Sequence, residues 1–244
     1  MISTTMWSEP GTVAAPPGFH VVRPDRREEL ASGGEDGGVK IVHRGPRRRA
    51  EIALTFDDGP SRWTAAVAAP FEECGCHATF FLRGAAVEER PETVAALAEG
   101  GHEVGNHLWS HADASSQSRA EIRAEIERTA DAIEAAGAPR PTLVRPPYFS
   151  APQRVAEAAS ETGARAVILR SIGSADWAAA SAEQIFSPVL ANAEPGDIVC
   201  LHDGISSDKR DSDSREPTST AIKRLVPALL ERGLQPVTVS ELLR

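Results

Sequence analysis

The sequence predicts an α/β protein with a parallel sheet at its centre, on two observations. From Glu51 onward, apolar runs of β type alternate with stretches of helical periodicity, the pattern of a parallel sheet wrapped by helices. Polar residues recur just beyond the carboxyl ends of those runs, where the loops of parallel α/β folds converge on a common crevice. With 244 residues, 41% of them hydrophobic, the chain can bury the core of one large domain.

Residues 1–50 are rich in Gly, Pro and charge, with two short β-like runs, "FHVVRP" and "VKIVHR", around the turn-forming "SGGEDGG". They read as an N-terminal extension, expected as a hairpin packed on the main domain, and the basic run "RGPRRR" reads as a solvated linker. In the domain that follows, residues 51–244, the candidate strands are "EIALTF", "HATFFLRG", "HEVGNH", "TLVRPP", "RAVILRSI", "DIVCLHDG" and "QPVTVS". Helical segments lie between them. In "SRAEIRAEIERTADAIEAAG", Ile122, Ile126, Ala130 and Ile133 recur every three or four residues, and Gly137 supplies the stop. About seven strands with intervening helices fit a compact β/α barrel or an open doubly wound sheet, and periodicity does not separate the two. The polar insertion "GISSDKRDSDSREP", Gly204 to Pro217, is expected as a mobile surface loop.

The net charge of −9 argues against a surface that neutralises nucleic-acid phosphates or anionic lipid, so neither a nucleic acid nor a membrane is expected as partner. The first twenty residues or so have no positive start and no continuous apolar stretch, which leads to the expectation of a cytoplasmic protein. Cys74, Cys76 and Cys200 cannot all pair, and reduced thiols fit best.

The polar punctuation carries the chemistry. The first strand ends in Asp57 and Asp58, the third in "GNHLWSH" with His107 and His111, and the fourth in "RPPY" with Arg145; the fifth leads to Asp176 and Trp177, and the sixth ends in "CLHDG" with His202. Taken singly each is weak: Asp-Asp-Gly-Pro is usually a turn, and two histidines four apart are more often unrelated. Their repetition after apolar strands is what the bland reading leaves unexplained. Two imidazoles and one carboxylate leave positions on a divalent ion for water and substrate, as hydrolytic zinc sites require. His107, His111 and one of the paired aspartates would supply that set, and the other aspartate would stand beside the water as general base. Gly59 and Pro60 would turn the chain so that both carboxylates face one cavity. Zinc is expected from this donor set, which cobalt, nickel or manganese also fit.

With these residues assembled, the chain resembles the polysaccharide deacetylase family (carbohydrate esterase family 4, with the NodB-homology domain), which removes N-acetyl groups from chitin, peptidoglycan and related sugars with a divalent metal. The resemblance runs from Glu51 to Arg244 and includes the family's five motifs in order; "TFDDGP" followed by "HATFFL" is highly specific. It implies a distorted, incomplete (β/α) barrel. It also implies that Asp58 binds the metal with His107 and His111, that Asp57 is the base, and that Arg145 pairs with and orients that base. The backbone N–H of Tyr148 would stabilise the oxyanion. His202 would be the general acid, Asp176 the carboxylate that raises its basicity, and Trp177 and Leu201 the walls of the acetyl pocket. The chain departs from the family at four places: Leu108 where Ser or Thr is common, Ala112 for a usual proline, Phe149 where Gly is frequent, narrowing the groove, and Gly173 where many members have a further aspartate.

The function implied is metal-dependent hydrolysis of an N-acetyl group from an amino sugar or its oligomer or polymer. A small N-acetyl or N-formyl intermediate is the alternative substrate, because aromatic residues for stacking on sugar rings are only 5%. A non-catalytic carbohydrate-binding relative is less consistent with an intact set of ligands and base.

Overall fold

The computed structural model describes residues 15–22, 38–205 and 214–244. In chain order the elements are β1 (His20–Val21), β2 (Lys40–Val42), β3 (Glu51–Asp57), α1 (Thr64–Glu73), β4 (Thr79–Leu82), α2 (Gly84–Glu89), α3 (Pro91–Glu99), β5 (Glu103–Asn106), α4 (Arg119–Ala135), β6 (Leu143–Val144), α5 (Pro152–Ala159), β7 (Ala166–Ile168), β8 (Ile172–Gly173), α6 (Ala182–Asn192), β9 (Ile198–His202), α7 (Glu216–Glu231), β10 (Gln235–Pro236) and α8 (Val239–Leu242). The strands lie in the order β1-β8-β9-β3-β4-β5-β6-β7-β2, with β10 beside β3. All pairs are parallel except β1 with β8. The result is an α/β half-barrel of mostly parallel strands, open between β7 and β8, which follow one another in sequence but do not pair.

Strand alternation sorts the residues. On β3, Ile52, Leu54 and Phe56 face outward into a core shared with Val67 and Phe71 of α1 and Leu225 and Leu229 of α7. Ala53 faces inward, where Phe81, Ile168, Ile198 and, from α8, Val239 and Leu242 fill the bottom of the barrel. Two and four residues further along the same face come Thr55 and Asp57, so the inward row runs from apolar plug to carboxylate. Helix α4 matches its pattern: Ile122, Ile126, Ala130 and Ile133 are buried, Ser118 and Glu121 form a capping box, and Gly137 takes φ 94° just past the end.

Four expectations are corrected. The two N-terminal runs do not form a hairpin: β1 joins β8 with His20 opposite Gly173, while β2 joins β7 with Ile41 opposite Val167, at the two ends of the strand order. Each run satisfies an open sheet edge, and Ile41 and Val42 gain a core that an isolated hairpin would not give them. The turn expected at "SGGEDGG" lies almost wholly outside the described residues, as do residues 206–213 of the polar insertion. "RAVILRSI" is not one strand but β7 and β8, split at the barrel's seam. "QPVTVS" pairs only through Gln235–Pro236, because Thr238 caps α8 in a capping box with Glu241. Within "RGPRRR", Arg44 is buried, not solvated, and pairs with Glu194 and Asp197 at 3.2 Å each. Cys74, Cys76 and Cys200 are unpaired, as expected. Among the described residues, no helix is long and apolar enough to cross a membrane.

Candidate active site

At the carboxyl end of β3 the chain changes hand: Asp57 closes the strand, and Asp58 takes φ 74°. The turn that brings both carboxylates to one cavity therefore starts at Asp58 itself, ahead of Gly59 and Pro60. Gly59 is needed for another reason, since a Cβ there would collide with the Asp203 carboxylate. His107 follows β5, and His111, at φ 63°, lies on the next loop. Asp58 Oδ1 stands 2.9 Å from His111 Nε2 and 3.5 Å from His107 Nε2, all three side chains being buried. Yet Asp58 Oδ1 makes no hydrogen bond. Three donor atoms that converge without satisfying one another fit a divalent cation, whose tetrahedral ligands at ~2.1 Å sit roughly 3.4 Å apart. His107 Nδ1 is 2.8 Å from the Arg145 carbonyl, which fixes the ring with Nε2 toward Asp58. Burial raises the Asp58 pKa, but the close approach of the His107 and His111 imidazoles outweighs it, so the carboxyl lies well below its usual range.

Asp57, 2% exposed, lies beside this cluster. Its Oδ1 accepts from Arg145 Nη1 at 2.6 Å. The Arg145 guanidinium also donates to Thr55 Oγ1 and to the carbonyls of Ile168 and Leu169, so one buried side chain links β3 to the end of β7 and aims the carboxylate. Its plane lies 4.0 Å over the Phe81 ring, room that Gly105 provides because a Cβ there would enter that ring.

Opposite, His202 at the end of β9 places Nδ1 2.7 Å from Asp176 Oδ1. Asp176 also accepts from Ser174 Oγ, the His202 backbone N–H and Thr218 Oγ1, four bonds in all on a buried carboxylate. Burial pulls the His202 pKa down, but the charge and hydrogen bond of Asp176, with Asp58 and Asp57 behind it, push it up to about 9. Asp176 is held below its usual range against burial by the same pairing.

Asp57, Asp58, His107, His111 and His202 open into one cavity of ≈ 270 Å³. Tyr148 and Phe149 line it in left-handed backbone, φ 57° and 58°, and the Tyr148 ring, 48% exposed, packs on His111 with ring centres 4.8 Å apart. Trp177 lines it too. Leu201 does not: it is 0% exposed in the core outside the sheet, and strand alternation puts Cys200 on the face of His202 instead. Cys200 Sγ lies 3.5 Å from Asp57 Oδ2, and burial raises its thiol pKa well above the usual value.

Among the described residues, left-handed backbone outside glycine falls at Asp58, Leu108, His111, Tyr148, Phe149, Ala151 and Ala175, all on the loops around this cavity. Such conformations persist where surroundings enforce them. Leu108 keeps its loop in place without a hydroxyl: its side chain is buried beside Ile122 and Ile126, its N–H donates to Asn106 Oδ1, and Glu125 accepts from the N–H groups of Trp109 and Ser110. Sequence reasoning missed five further residues: Asn106 and Asp203, which stand inside "GNHLWSH" and "CLHDG" but were given no role, and Glu125, Thr218 and Arg170, which carry no motif. Asp203, buried and bonded by Thr64 Oγ1, has its pKa raised to about 7 by burial and by the charges of Asp58 and Asp57.

Comparison with known proteins agrees with this geometry. The sequence profile of the polysaccharide deacetylase family matches residues 44–167. A peptidoglycan-N-acetylglucosamine deacetylase of Bacillus cereus is 35% identical over 201 residues, 82% of this chain and 91% of its own. A chitooligosaccharide deacetylase of Sinorhizobium fredii is 33% identical over 201 residues, 80% and 93% of the two chains. A crystal structure of a peptidoglycan N-acetylglucosamine deacetylase in complex with 4-naphthalen-1-yl-N-oxidanyl-benzamide superposes with a TM-score of 0.75 at 28% identity, covering 83% of this chain and 92% of that one.

Proposed function

The chain belongs to the polysaccharide deacetylase family, hydrolases of non-peptide carbon–nitrogen bonds that free the amine of N-acetylated amino sugars, and on that premise we propose how its residues divide the work. Asp58, His107 and His111 hold one divalent cation, zinc on the donor set. When bound, that cation supplies Lewis acidity toward a carbonyl oxygen and a water.

The remaining work belongs to the chain's own groups. Asp57, aimed by Arg145, accepts the proton of the attacking water. The backbone N–H of Tyr148 supports the negative charge that develops on the former carbonyl oxygen. His202, kept protonated by Asp176, gives its proton to the departing nitrogen, so the carbon–nitrogen bond breaks to acetate and a free amine. Trp177 and Cys200 face the acyl group, and Phe149 narrows the groove beside Tyr148. The substrate class is an N-acetylglucosamine glycan, as in the named relatives. The observation that carries this reading is the convergence of Asp58 with two imidazoles while Asp57 stands free of the cluster, held by its own arginine.

Acetate release from N-acetylglucosamine oligomers tests it. Turnover should vanish with a chelator and return with zinc, cobalt, nickel or manganese. Activity confined to small N-acyl amines would replace the glycan with the alternative substrate, and binding without any hydrolysis by the metal-loaded protein would overturn the assignment.

A further inference from the structure

The cavity holds a second arginine that the chemistry above leaves unused. Arg170 lies in the seam between β7 and β8 and lines the cavity with Asp57, Cys200 and His20. Its Nε donates to His20 Nε2 at 3.0 Å, and its guanidinium lies 3.6 Å over the Phe149 ring. Among the described residues it forms no ion pair. The contrast with the other charges there is sharp: Asp57 is matched by Arg145 and Asp176 by His202. Burial is the larger cause, with the nearby Arg145 charge, of a pKa lowered from the usual arginine value, although Cys200 and Asp57 pull the other way; this is what a cation short of an anionic partner shows.

The sequence explains the shortage. Gly173 brings no side chain to this wall, and the space one would take is filled by the His20 ring and Arg170 Nε. The N-terminal strand β1, paired with β8, supplies that His20. A glycine at this wall and the approach of an N-terminal imidazole thus leave a planar, two-pronged cation lining the cavity, a group suited to bidentate contact with an oxyanion.

Building on the deacetylase reading, we propose that Arg170 is a specificity-determining residue that binds an anionic substituent, a carboxylate or a phosphate, carried by the N-acetylated substrate. The preferred substrates are therefore acidic amino sugars, not neutral ones. His20 and Phe149 position the guanidinium, leaving its Nη groups to meet the anion.

The test compares acetate release from three substrates: N-acetylglucosamine, its 3-O-lactyl ether, which bears a carboxylate, and its 6-phosphate. Wild-type protein is expected to favour one acidic substrate over the neutral one by about tenfold or more in kcat/KM, with the effect mainly in KM and reduced by salt. Which acidic substrate leads identifies carboxylate or phosphate. In Arg170→Gln the acidic-to-neutral ratio should fall to about one, and Arg170→Lys should restore part of it. The ratio cancels any general damage to the fold. An unchanged ratio in Arg170→Gln, with turnover persisting, overturns the role of Arg170 and leaves the deacetylase reading standing. No acetate from any of the three substrates or from N-acetylglucosamine oligomers, in metal-loaded protein, overturns both.

Discussion

Two buried carboxylates serve the cavity, Asp57 lining it and Asp176 standing behind His202, and each is paired with a cation on another element. Asp57 has Arg145 at 2.6 Å, and Asp176 has His202 at 2.7 Å. The bonds are nearly equal in length, but the partners differ in kind. Arg145 has five N–H donors in a rigid fork and spends them on Thr55 and two carbonyls as well as on Asp57, so it can aim a carboxylate but not deliver a proton. His202 can deliver one, and the pairing with Asp176 sets the pH at which it does so. In the first pair the carboxylate acts and the cation positions it; in the second the roles are exchanged.

The comparison breaks most completely at Asp57. Asp57→Asn keeps the shape and an acceptor for Arg145 but no basic carboxylate, so kcat should fall by about 10²–10⁴ while bound metal, measured by elemental analysis, stays at the wild-type ratio. Loss of metal together with activity would move Asp57 into the ligand set. Arg145→Met breaks the same pair from the other side. It leaves a buried carboxylate without its cation and two carbonyls without donors, and should cost about 3–5 kcal/mol in denaturant unfolding. A cost below 1 kcal/mol would show that Arg145 is not what holds this wall of the barrel.

The sequence was legible where chemistry sits in short contiguous motifs. Asp57, Asp58, His107, His111, Arg145, Asp176 and His202 all lie at or beyond the ends of predicted strands; the structure brings Asp57, Asp58, His107, His111 and His202 to one cavity and sets Arg145 and Asp176 behind them, bonded to Asp57 and His202. The misassignment of Leu201 was avoidable: once His202 is taken to face inward, period two along β9 selects Cys200 as its neighbour and sends Leu201 to the helices. Other features had no local signal. That β1 and β2 would take opposite edges depends on which sheet edges remain open after the barrel forms. Thr218 reaches Asp176 from 42 residues away. Arg170 acquires meaning only when Gly173, Phe149 and His20 are seen around it.

The second pair is tested through pH. His202 is charged below about pH 9, so a rate that needs its acid form stays level up to that point and falls above it. Asp176→Asn removes the negative charge and weakens the hydrogen bond that hold the value up against burial. The alkaline limb of kcat should then move down by about two pH units, toward the ordinary histidine range. A limb that stays in place belongs to another group.

Thr218→Val gives the smallest effect and the most discriminating one, because its sign differs. Thr218 Oγ1 donates 2.8 Å to Asp176 Oδ2, the oxygen that also accepts the His202 backbone N–H. A carboxylate that shares its charge with a neutral hydroxyl presents less of it to the imidazolium. Valine keeps nearly the same volume and removes the donor, so the remaining charge falls more fully on His202 and the alkaline limb should rise by under about one pH unit, the worth of one ordinary hydrogen bond. If the limb falls instead, as it should in Asp176→Asn, then the hydroxyl acts by holding Asp176 in place, and the tuning of the acid lies in geometry more than in shared charge.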